Sequence, residues 1–238
     1  MLCVKGMIQA VIFDLDDTLY DYKTLDQEAN RAVQDFVCES LGIDEMKYKD
    51  AYMRGRRETK EQLGSVGASH NRMLYFQKTL EHLNHKPLSL SLQMYETYWG
   101  TFLTKMKLYP GAREVLNKLH ERGIQVGICT DLTAHIQHRK LKALGLTDDV
   151  DCLVTSEEAG REKPAPEIFT MCLDKLNMKP EVVCFVGDNY RRDIEGAVAA
   201  GMHAVWFCPD GEETACRDDV KGYEVVTDYS QLGKLLHV

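Results

Sequence analysis

Two carboxylates stand directly after an apolar run near the start of the chain. Residues 11–21 read V-I-F-D-L-D-D-T-L-Y-D, so Asp14 and Asp16 follow the run at a spacing of two. The apolar run predicts a strand that is buried on both faces of a parallel sheet. Ligands of such sheets bind beyond the carboxyl ends of the strands. Because like charges this close repel each other unless a cation offsets them, this strand end predicts a metal site, a cationic partner, or both.

Two later apolar runs end in the same way. The run 124–129 is followed by Thr130 and Asp131, and the run 182–186 is followed, after one glycine, by Asp188. Neighbouring parallel strands present their carboxyl ends at one edge of the sheet. We therefore expect the hydroxyl group and the carboxylates at these positions to lie beside the carboxylates of the first strand.

A lysine and a further carboxylate belong to the same set. Lys163 stands before a proline where a helix is predicted, and Asp193 lies five residues beyond Asp188. Taken singly, an acidic residue at a strand end is more often a turn former or helix cap, and a single lysine is usually a solvated charge. Together, the carboxylates suit Mg²⁺, which takes one or two carboxylates plus a substrate phosphate and keeps some waters.

Two hydrophobic periodicities divide the chain. Between residues 22 and 106, apolar residues recur at helical spacing in four stretches, which predicts a small helical bundle. From residue 107 onward, short apolar runs alternate with helical stretches, which predicts a doubly wound, Rossmann-like parallel sheet. We therefore predict an α/β protein with a catalytic core at 1–21 and 107–238 and an inserted helical cap domain at 22–106.

Composition narrows the class of protein and of partner. The net charge of −8 argues against a nucleic-acid partner or an anionic membrane surface. No apolar run approaches the roughly 20 residues that span a bilayer, and the N-terminus lacks the layout of a signal peptide. The eight cysteines include no C-x-x-C pair, although Cys216 stands in a polar loop where it could be exposed. These features predict a cytoplasmic protein without disulfides, and they leave the oligomeric state open.

With these residues in place, the chain resembles the haloacid dehalogenase superfamily of hydrolases. The four motifs of that family appear in order: D-L-D-D-T at 14–18, Thr130 after an apolar strand, Lys163 before a proline, and G-D-N-Y-R-R-D at 187–193. The helical insert between the first two motifs is similar to the helical cap of the family. The resemblance covers essentially the whole chain. It implies a Mg²⁺-dependent phosphomonoester hydrolase acting on a small metabolite such as a sugar phosphate, a sugar acid phosphate or a nucleotide.

The resemblance also implies a role for each motif residue. Asp14 is expected to be the nucleophile that forms an aspartyl-phosphate. Asp16 is expected to protonate the leaving oxygen and then to activate water. Thr130 would donate a hydrogen bond to a phosphate oxygen, and Lys163 would balance the negative charge around the nucleophile and the phosphoryl group.

The same resemblance implies a set of metal ligands. Mg²⁺ would be held by Asp14, by the backbone carbonyl of Asp16 and by Asp188, with Asp193 in support. Asn189 either orients this metal shell or only forms the turn.

Two positions depart from the usual family pattern. The residue after Thr130 is often Asn in the family and is Asp131 here, which adds negative charge beside the phosphate and puts contacts to the leaving group in doubt. We keep Asp131 as a candidate substrate contact. The residue before Asp193 is usually Asn and is Arg192 here, for which a solvated helix position is favoured over a phosphate contact.

Substrate selection would fall to the predicted cap. Its basic stretches, M-R-G-R-R at 53–57 and H-N-R at 70–72, either meet an anionic substrate or form solvated helix faces. Arg72 is our candidate for a substrate contact.

Other functions remain possible on the same residues. Dehalogenases of this family need no metal and usually lack the second aspartate of the first motif, so the presence of Asp16 favours phosphate chemistry. A phosphomutase uses the same set of residues and stays open. A non-enzymatic module that binds phosphate or accepts a phosphoryl group on an aspartate also stays open, although Asp16, Lys163 and the large helical insert favour turnover.

Overall fold

The computed structural model describes residues 8–209 and 222–238, and in this part of the chain six parallel strands form one sheet. The strands are β1 (Ala10–Phe13), β2 (Gln125–Thr130), β3 (Cys152–Thr155), β4 (Val183–Gly187), β5 (His203–Phe207) and β6 (Tyr223–Val226). Their spatial order is β3-β2-β1-β4-β5-β6, so the chain winds outward in both directions from β1. The predicted fold class, a doubly wound α/β protein of Rossmann type, is confirmed.

Four helices follow β1 directly. A fifth helix belongs to the sheet region and leads to β2. The first four are α1 (Tyr22–Leu41), α2 (Glu45–Leu63), α3 (Arg72–His82) and α4 (Ser91–Lys105). Asp21 and Asp44 begin the first two helices by accepting hydrogen bonds from backbone N–H groups, and Gly42 ends α1 in the left-handed conformation at φ +63°. We call α1–α4 the inserted helices, and their assignment to a separate cap domain over 22–106 stays a prediction.

The remaining helices connect the strands and cover both faces of the sheet. They are α5 (Ala112–Glu121), α6 (Ala134–Ala143), α7 (Ser156–Ala159), α8 (Pro166–Leu176), α9 (Glu195–Ala199) and α10 (Tyr229–Leu236). Val11 and Phe13 of β1 belong to the apolar cluster on one face of the sheet, whereas Ala10 and Ile12 belong to the cluster on the other. Because side chains on both faces of β1 are buried, all four residues of the strand are apolar.

Two connections contain short elements beside a longer helix or strand. The helix predicted beyond Lys163 begins at Pro166, and the short α7 precedes it. Beyond β4, a π-helical turn at Tyr190–Ile194 continues into α9. Asn189 begins this turn because its side chain accepts a hydrogen bond from the backbone N–H of Arg192.

None of the described helices is long and apolar enough to cross a membrane. Cys216, which the sequence analysis assigned to a polar loop, lies outside the described residues.

Candidate active site

A cavity of about 280 Å³ lies at the carboxyl ends of β1, β2 and β4. All candidate residues of the sequence analysis contribute to its lining: Asp14, Asp16, Arg72, Thr130, Asp131, Lys163, Asp188 and Asp193. The sheet order explains this convergence, because β1 lies between β2 and β4 and all three strands run in the same direction. The predicted residues therefore form one site, while their roles stay predictions.

Lys163 is the buried counter-charge of two carboxylates. Its Nζ lies 2.5 Å from Oδ1 of Asp14 and 2.7 Å from Oδ1 of Asp193, and it also donates to the carbonyl of Cys129 at 3.2 Å. Burial would lower the pKa of Lys163, but the neighbouring carboxylates outweigh burial and hold this pKa well above its ordinary value. The side chain is therefore a fixed positive charge beside Asp14.

Three carboxylates lie close enough to hold one cation. Asp14, Asp188 and Asp193 each offer an oxygen within 4.8 Å of the other two. Burial, together with the charges of Asp193 and Asp16, raises the pKa of Asp14 to about 8, although Lys163 opposes the shift. Burial and the charges of the other two carboxylates raise the pKa of Asp188 to about 9. One lysine does not balance this cluster, and its hard oxygen ligands fit a divalent cation such as Mg²⁺.

Gly187 makes room for the third of these carboxylates. A Cβ atom at this position would lie 2.5 Å from the carboxylate of Asp193, which is closer than atoms can approach. The carboxylate is held there because its Oδ2 accepts a hydrogen bond from the backbone N–H of Asn189 at 2.9 Å. The glycine and the π-helical turn together place Asp193 beneath the end of β4.

Asp16 is held by two residues that the motifs do not include. Lys140 Nζ donates to both carboxylate oxygens, at 2.7 and 2.8 Å, and the Tyr20 hydroxyl donates to Oδ1 at 2.6 Å. Burial lowers the pKa of the fully buried Lys140, and the charge of Asp16 offsets part of this shift. The carboxylate of Asp16 is thus fixed by three hydrogen bonds, while 24% of its side chain stays exposed toward the cavity.

Aromatic rings surround the ammonium group of Lys140. Its Nζ lies 5.4–5.9 Å from the ring centroids of Tyr20, Tyr22, Trp99 and Phe102. A cation at this distance is attracted to the negative faces of aromatic rings. Since Tyr22 belongs to α1 and two of the other rings belong to α4, Lys140 on α6 connects Asp16 to the inserted helices.

Gln137 orients the hydroxyl group of Thr130. Its Nε2 lies 2.6 Å from Thr130 Oγ1 and 2.6 Å from the carbonyl oxygen of Asp131. Because a carbonyl only accepts, the side-chain atom that faces both oxygens is the amide nitrogen. The hydroxyl proton of Thr130 therefore points to another acceptor, and its bond to the carbonyl of Asp131 is long at 3.3 Å. This arrangement leaves the Thr130 hydroxyl group as a potential hydrogen-bond donor toward the cavity.

Asp131 and Arg192, the two residues that depart from the usual family pattern, contact each other. Arg192 donates from its guanidinium group to Oδ2 of Asp131 at 3.2 Å, and Oδ1 of Asp131 accepts from the backbone N–H of Lys163 at 3.1 Å. Burial raises the pKa of Asp131, although the Lys163 charge opposes the shift. Arg192 is thus an ion-pair partner of Asp131, and its side chain is 44% exposed to solvent. The carboxylate of Asp131 is occupied by these two donors.

Arg72 lines the cavity but has partners of its own. It is only 6% exposed, and its NH2 atom lies 3.1 Å from Oδ1 of Asp26 and contacts the hydroxyl group of Tyr22. Burial would raise the pKa of Asp26, but Arg72 holds this pKa below its ordinary value. NH1 of Arg72 donates to the carbonyl of His70 and NH2 donates to Asp26, whereas its Nε finds no hydrogen-bond partner among the described residues. The charge of Arg72 is therefore balanced within the protein, and a substrate contact stays a prediction.

The sequence carries a signal for the residues that the motifs missed. In α6, Lys140 follows Ile136 by four positions and precedes Leu144 by four, and Gln137 precedes Leu141 by four. All of these residues therefore lie on the buried stripe of the helix. A polar side chain on a buried stripe requires a hydrogen-bond partner, which here is a residue of the site.

Comparisons with known proteins identify similar sequences. The profile of the haloacid dehalogenase-like hydrolase family matches residues 8–201. A ribulose-1,5-bisphosphate 5-phosphatase of Halopiger xanaduensis is 41% identical over 211 residues, which cover 88% of this chain and 88% of the relative. A glyceraldehyde 3-phosphate phosphatase of Methanopyrus kandleri is 36% identical over 201 residues, which cover 84% of this chain and 83% of the relative.

A solved structure agrees at the level of the fold. The crystal structure of a HAD phosphatase from Thermococcus onnurineus superposes with a TM-score of 0.73 at 24% identity. The superposition covers 96% of this chain and 97% of that chain, so it includes the sheet and the inserted helices alike.

Proposed function

Since the chain belongs to the haloacid dehalogenase-like hydrolases and is a phosphatase of that family, we propose that it removes the phosphate group from a small sugar phosphate in a Mg²⁺-dependent reaction. The sugar phosphates in the names of the two relatives support this substrate class. The observation that carries the proposal is the buried contact of Asp14 with Lys163 inside a cluster of three carboxylates. A carboxylate approaches a phosphate dianion only where positive charge is fixed around both.

In the proposed reaction Asp14 attacks the phosphorus atom. A bond forms between a carboxylate oxygen and phosphorus, the bond to the leaving oxygen breaks, and an aspartyl-phosphate results. Asp16 gives a proton to the leaving oxygen, and in the second step it takes a proton from the water that hydrolyses the aspartyl-phosphate. Lys140 and Tyr20 keep Asp16 oriented through both steps.

Binding of the phosphoryl group is the task of the remaining residues. The hydroxyl group of Thr130, directed by Gln137, donates to one phosphate oxygen, and Lys163 balances the charge of the nucleophile. Bound to Asp14, Asp188 and the carbonyl of Asp16, with Asp193 in support, Mg²⁺ would supply the further positive charge that phosphoryl transfer requires.

The test is a panel of phosphomonoesters assayed for phosphate release with and without Mg²⁺. The control is Asp14→Asn, which keeps the shape of the side chain and removes the nucleophile. We expect Mg²⁺-dependent release by the wild type and a loss of at least about a thousandfold in the variant. Equal release by both proteins would contradict the proposal.

The alternatives give different results in the same panel. A phosphomutase would return an isomeric phosphate ester rather than inorganic phosphate. A phospho-accepting module would accumulate stable phosphorylated Asp14 without release. A dehalogenase would release halide from a 2-haloacid without any metal.

A further inference from the structure

The inserted helices contribute a basic wall to the cavity. Arg56 and Lys60 of α2 line it, together with Tyr22, His70 and Arg72, whereas the strand ends contribute the carboxylates. The volume of about 280 Å³ is close to the lower end of the roughly 300–1,000 Å³ range of small-molecule sites. The cavity thus has an acidic floor, a basic wall and room for a small metabolite between them.

Arg56 and Lys60 are neighbours of like charge. They are four residues apart on α2, so their side chains lie on the same face of the helix, where like charges destabilise it. Burial and the charges of Arg56, Arg72 and Arg192 lower the pKa of Lys60, although the charge of Glu162 opposes the shift. Neither residue forms an ion pair with an acidic side chain in the described part of the chain, although Arg54 of the same helix pairs with Asp50. The wall therefore carries unbalanced positive charge toward the cavity.

The other two arginines of the cavity each have an acidic ion-pair partner. Arg72 is balanced by Asp26, and Arg192 is balanced by Asp131. Arg56 and the adjacent Arg57 are both exposed, but only Arg56 contributes to the cavity lining. The unbalanced charge is thus confined to two residues of one helix face, beside the acidic floor where the phosphate to be removed would bind.

We propose that Arg56 and Lys60 form a subsite for a second anionic group of the substrate. This group is a phosphate or a carboxylate at the end of the metabolite remote from the phosphate that is removed. An oxyanion there would relieve the repulsion between the two cations and would accept charge-assisted hydrogen bonds from both. The inference rests on the proposed function, because it takes the phosphate to be removed as bound at Asp14.

The experiment compares substrates that differ only in the remote group. One pair is ribulose 5-phosphate and ribulose 1,5-bisphosphate, which differ by a phosphate. The other pair is glycerol 3-phosphate and 3-phosphoglycerate, which differ chiefly by a carboxylate. For each pair, the discrimination ratio is kcat/KM of the bisphosphorylated or carboxylated member divided by kcat/KM of the member without the remote anion.

We expect the wild type to prefer one of the remote anions, and the preferred pair identifies the anion. Arg56→Gln and Lys60→Met should each lower that discrimination ratio by about tenfold or more, because each removes one charge-assisted hydrogen bond. Arg57→Gln is the matched control, with the same change of charge at the adjacent position, and should leave the ratio unchanged. High salt should also lower the ratio of the wild type.

A second measurement separates a binding role from a structural one. Removal of one of two repelling charges should leave the melting temperature without substrate unchanged or higher, while the discrimination ratio falls. A lower melting temperature with an unchanged ratio would overturn the inference. So would a wild type that releases phosphate from both members of each pair equally well. Absence of phosphate release from every substrate, with no difference from Asp14→Asn, would instead contradict the proposed function.

Discussion

At the scale of single residues, the two aspartates of the first motif differ in their partners. Asp14 contacts Lys163, which also contacts Asp193, so the nucleophile candidate belongs to the acidic cluster. Asp16 contacts Lys140 and Tyr20 instead, outside that cluster. Lys163 therefore contacts the residue that would attack the phosphorus atom, and Lys140 contacts the residue that would transfer protons.

The role of Lys140 can be tested through the leaving group. In Lys140→Met the side chain keeps a similar length, but Asp16 loses two of its three hydrogen bonds. Alkyl phosphates need protonation of the leaving oxygen, whereas p-nitrophenyl phosphate has a leaving group that departs without it. We expect kcat/KM to fall roughly tenfold to a hundredfold for alkyl phosphates and much less for p-nitrophenyl phosphate. Steady-state kinetics on both classes of substrate measure this difference.

Two further variants control for this result. Lys142→Met makes the same substitution two positions away on the exposed face of α6 and should change neither substrate. Lys140→Arg keeps a positive charge and should retain part of the alkyl phosphate activity. An equal loss on both classes of substrate in Lys140→Met would mean that the lysine supports only the fold.

Residue types at strand ends were predictable because the chemistry of the site leaves little choice of side chain. Asp14, Asp16, Thr130 and Asp188 could be named from the sequence because they follow apolar runs. Lys163 and Asp193 follow no apolar run and were named because they complete the motifs of the family that the chain resembles. The pairing of Asp131 with Arg192 could not, because 61 residues separate them and each reads alone as an uncompensated charge. Lys140 was missed because the charged residues around it in α6 suggest a solvated helix.

At the scale of elements, α2 and α3 approach each other closely at a glycine. A Cβ atom on Gly55 would lie 3.0 Å from Cβ of Lys78, 3.0 Å from the backbone N of Thr79 and 3.1 Å from the carbonyl of Tyr75. Two of these contacts are with backbone atoms, so α3 cannot relieve them by a side-chain rotation. The presence of both helices was predictable, because helical spacing recurs in four stretches between residues 22 and 106. Their close approach was not, because the sequence does not give the distance between helices.

This close approach predicts opposite effects of one substitution at two glycines. Gly55→Ala gains helix propensity but forces α2 away from α3, and we expect a net loss of about 1–2 kcal/mol in the free energy of unfolding. Gly100→Ala, in α4, meets nothing within 4 Å and should gain about 0.5–1 kcal/mol. Urea denaturation of both variants measures the two values. A gain in stability for Gly55→Ala would show that the two helices separate freely.

At the scale of the whole molecule, the cavity is formed jointly by the sheet and the inserted helices. The sheet provides the acidic floor, and the inserted helices provide Tyr22, Arg56, Lys60 and Arg72. Close contacts join the two parts beside the cavity: His70 Nε2 lies 2.9 Å from Oε1 of Glu162. The burial of the carboxylates therefore depends on both parts of the chain, and so does the repulsion that a bound cation would relieve.

Because of that repulsion, we expect Asp188→Asn to be more stable than the wild type without metal and less stable than the wild type with Mg²⁺. Burial and the other carboxylates raise the pKa of Asp188 to about 9. At neutral pH the metal-free folded protein therefore holds this carboxyl group protonated, whereas the unfolded chain ionises it, and this difference lowers the stability of the fold. Without metal we expect Asp188→Asn to unfold at a higher temperature, with a gain of roughly 1 kcal/mol. Mg²⁺ at about a hundred times its Kd should stabilise the wild type by about 2.7 kcal/mol and the variant much less.

Thermal unfolding with Mg²⁺ or with a chelator measures both effects, and Asp148→Asn, an exposed acid outside the cavity, is the control. Equal stabilisation of wild type and variant by Mg²⁺ would exclude Asp188 from the metal site.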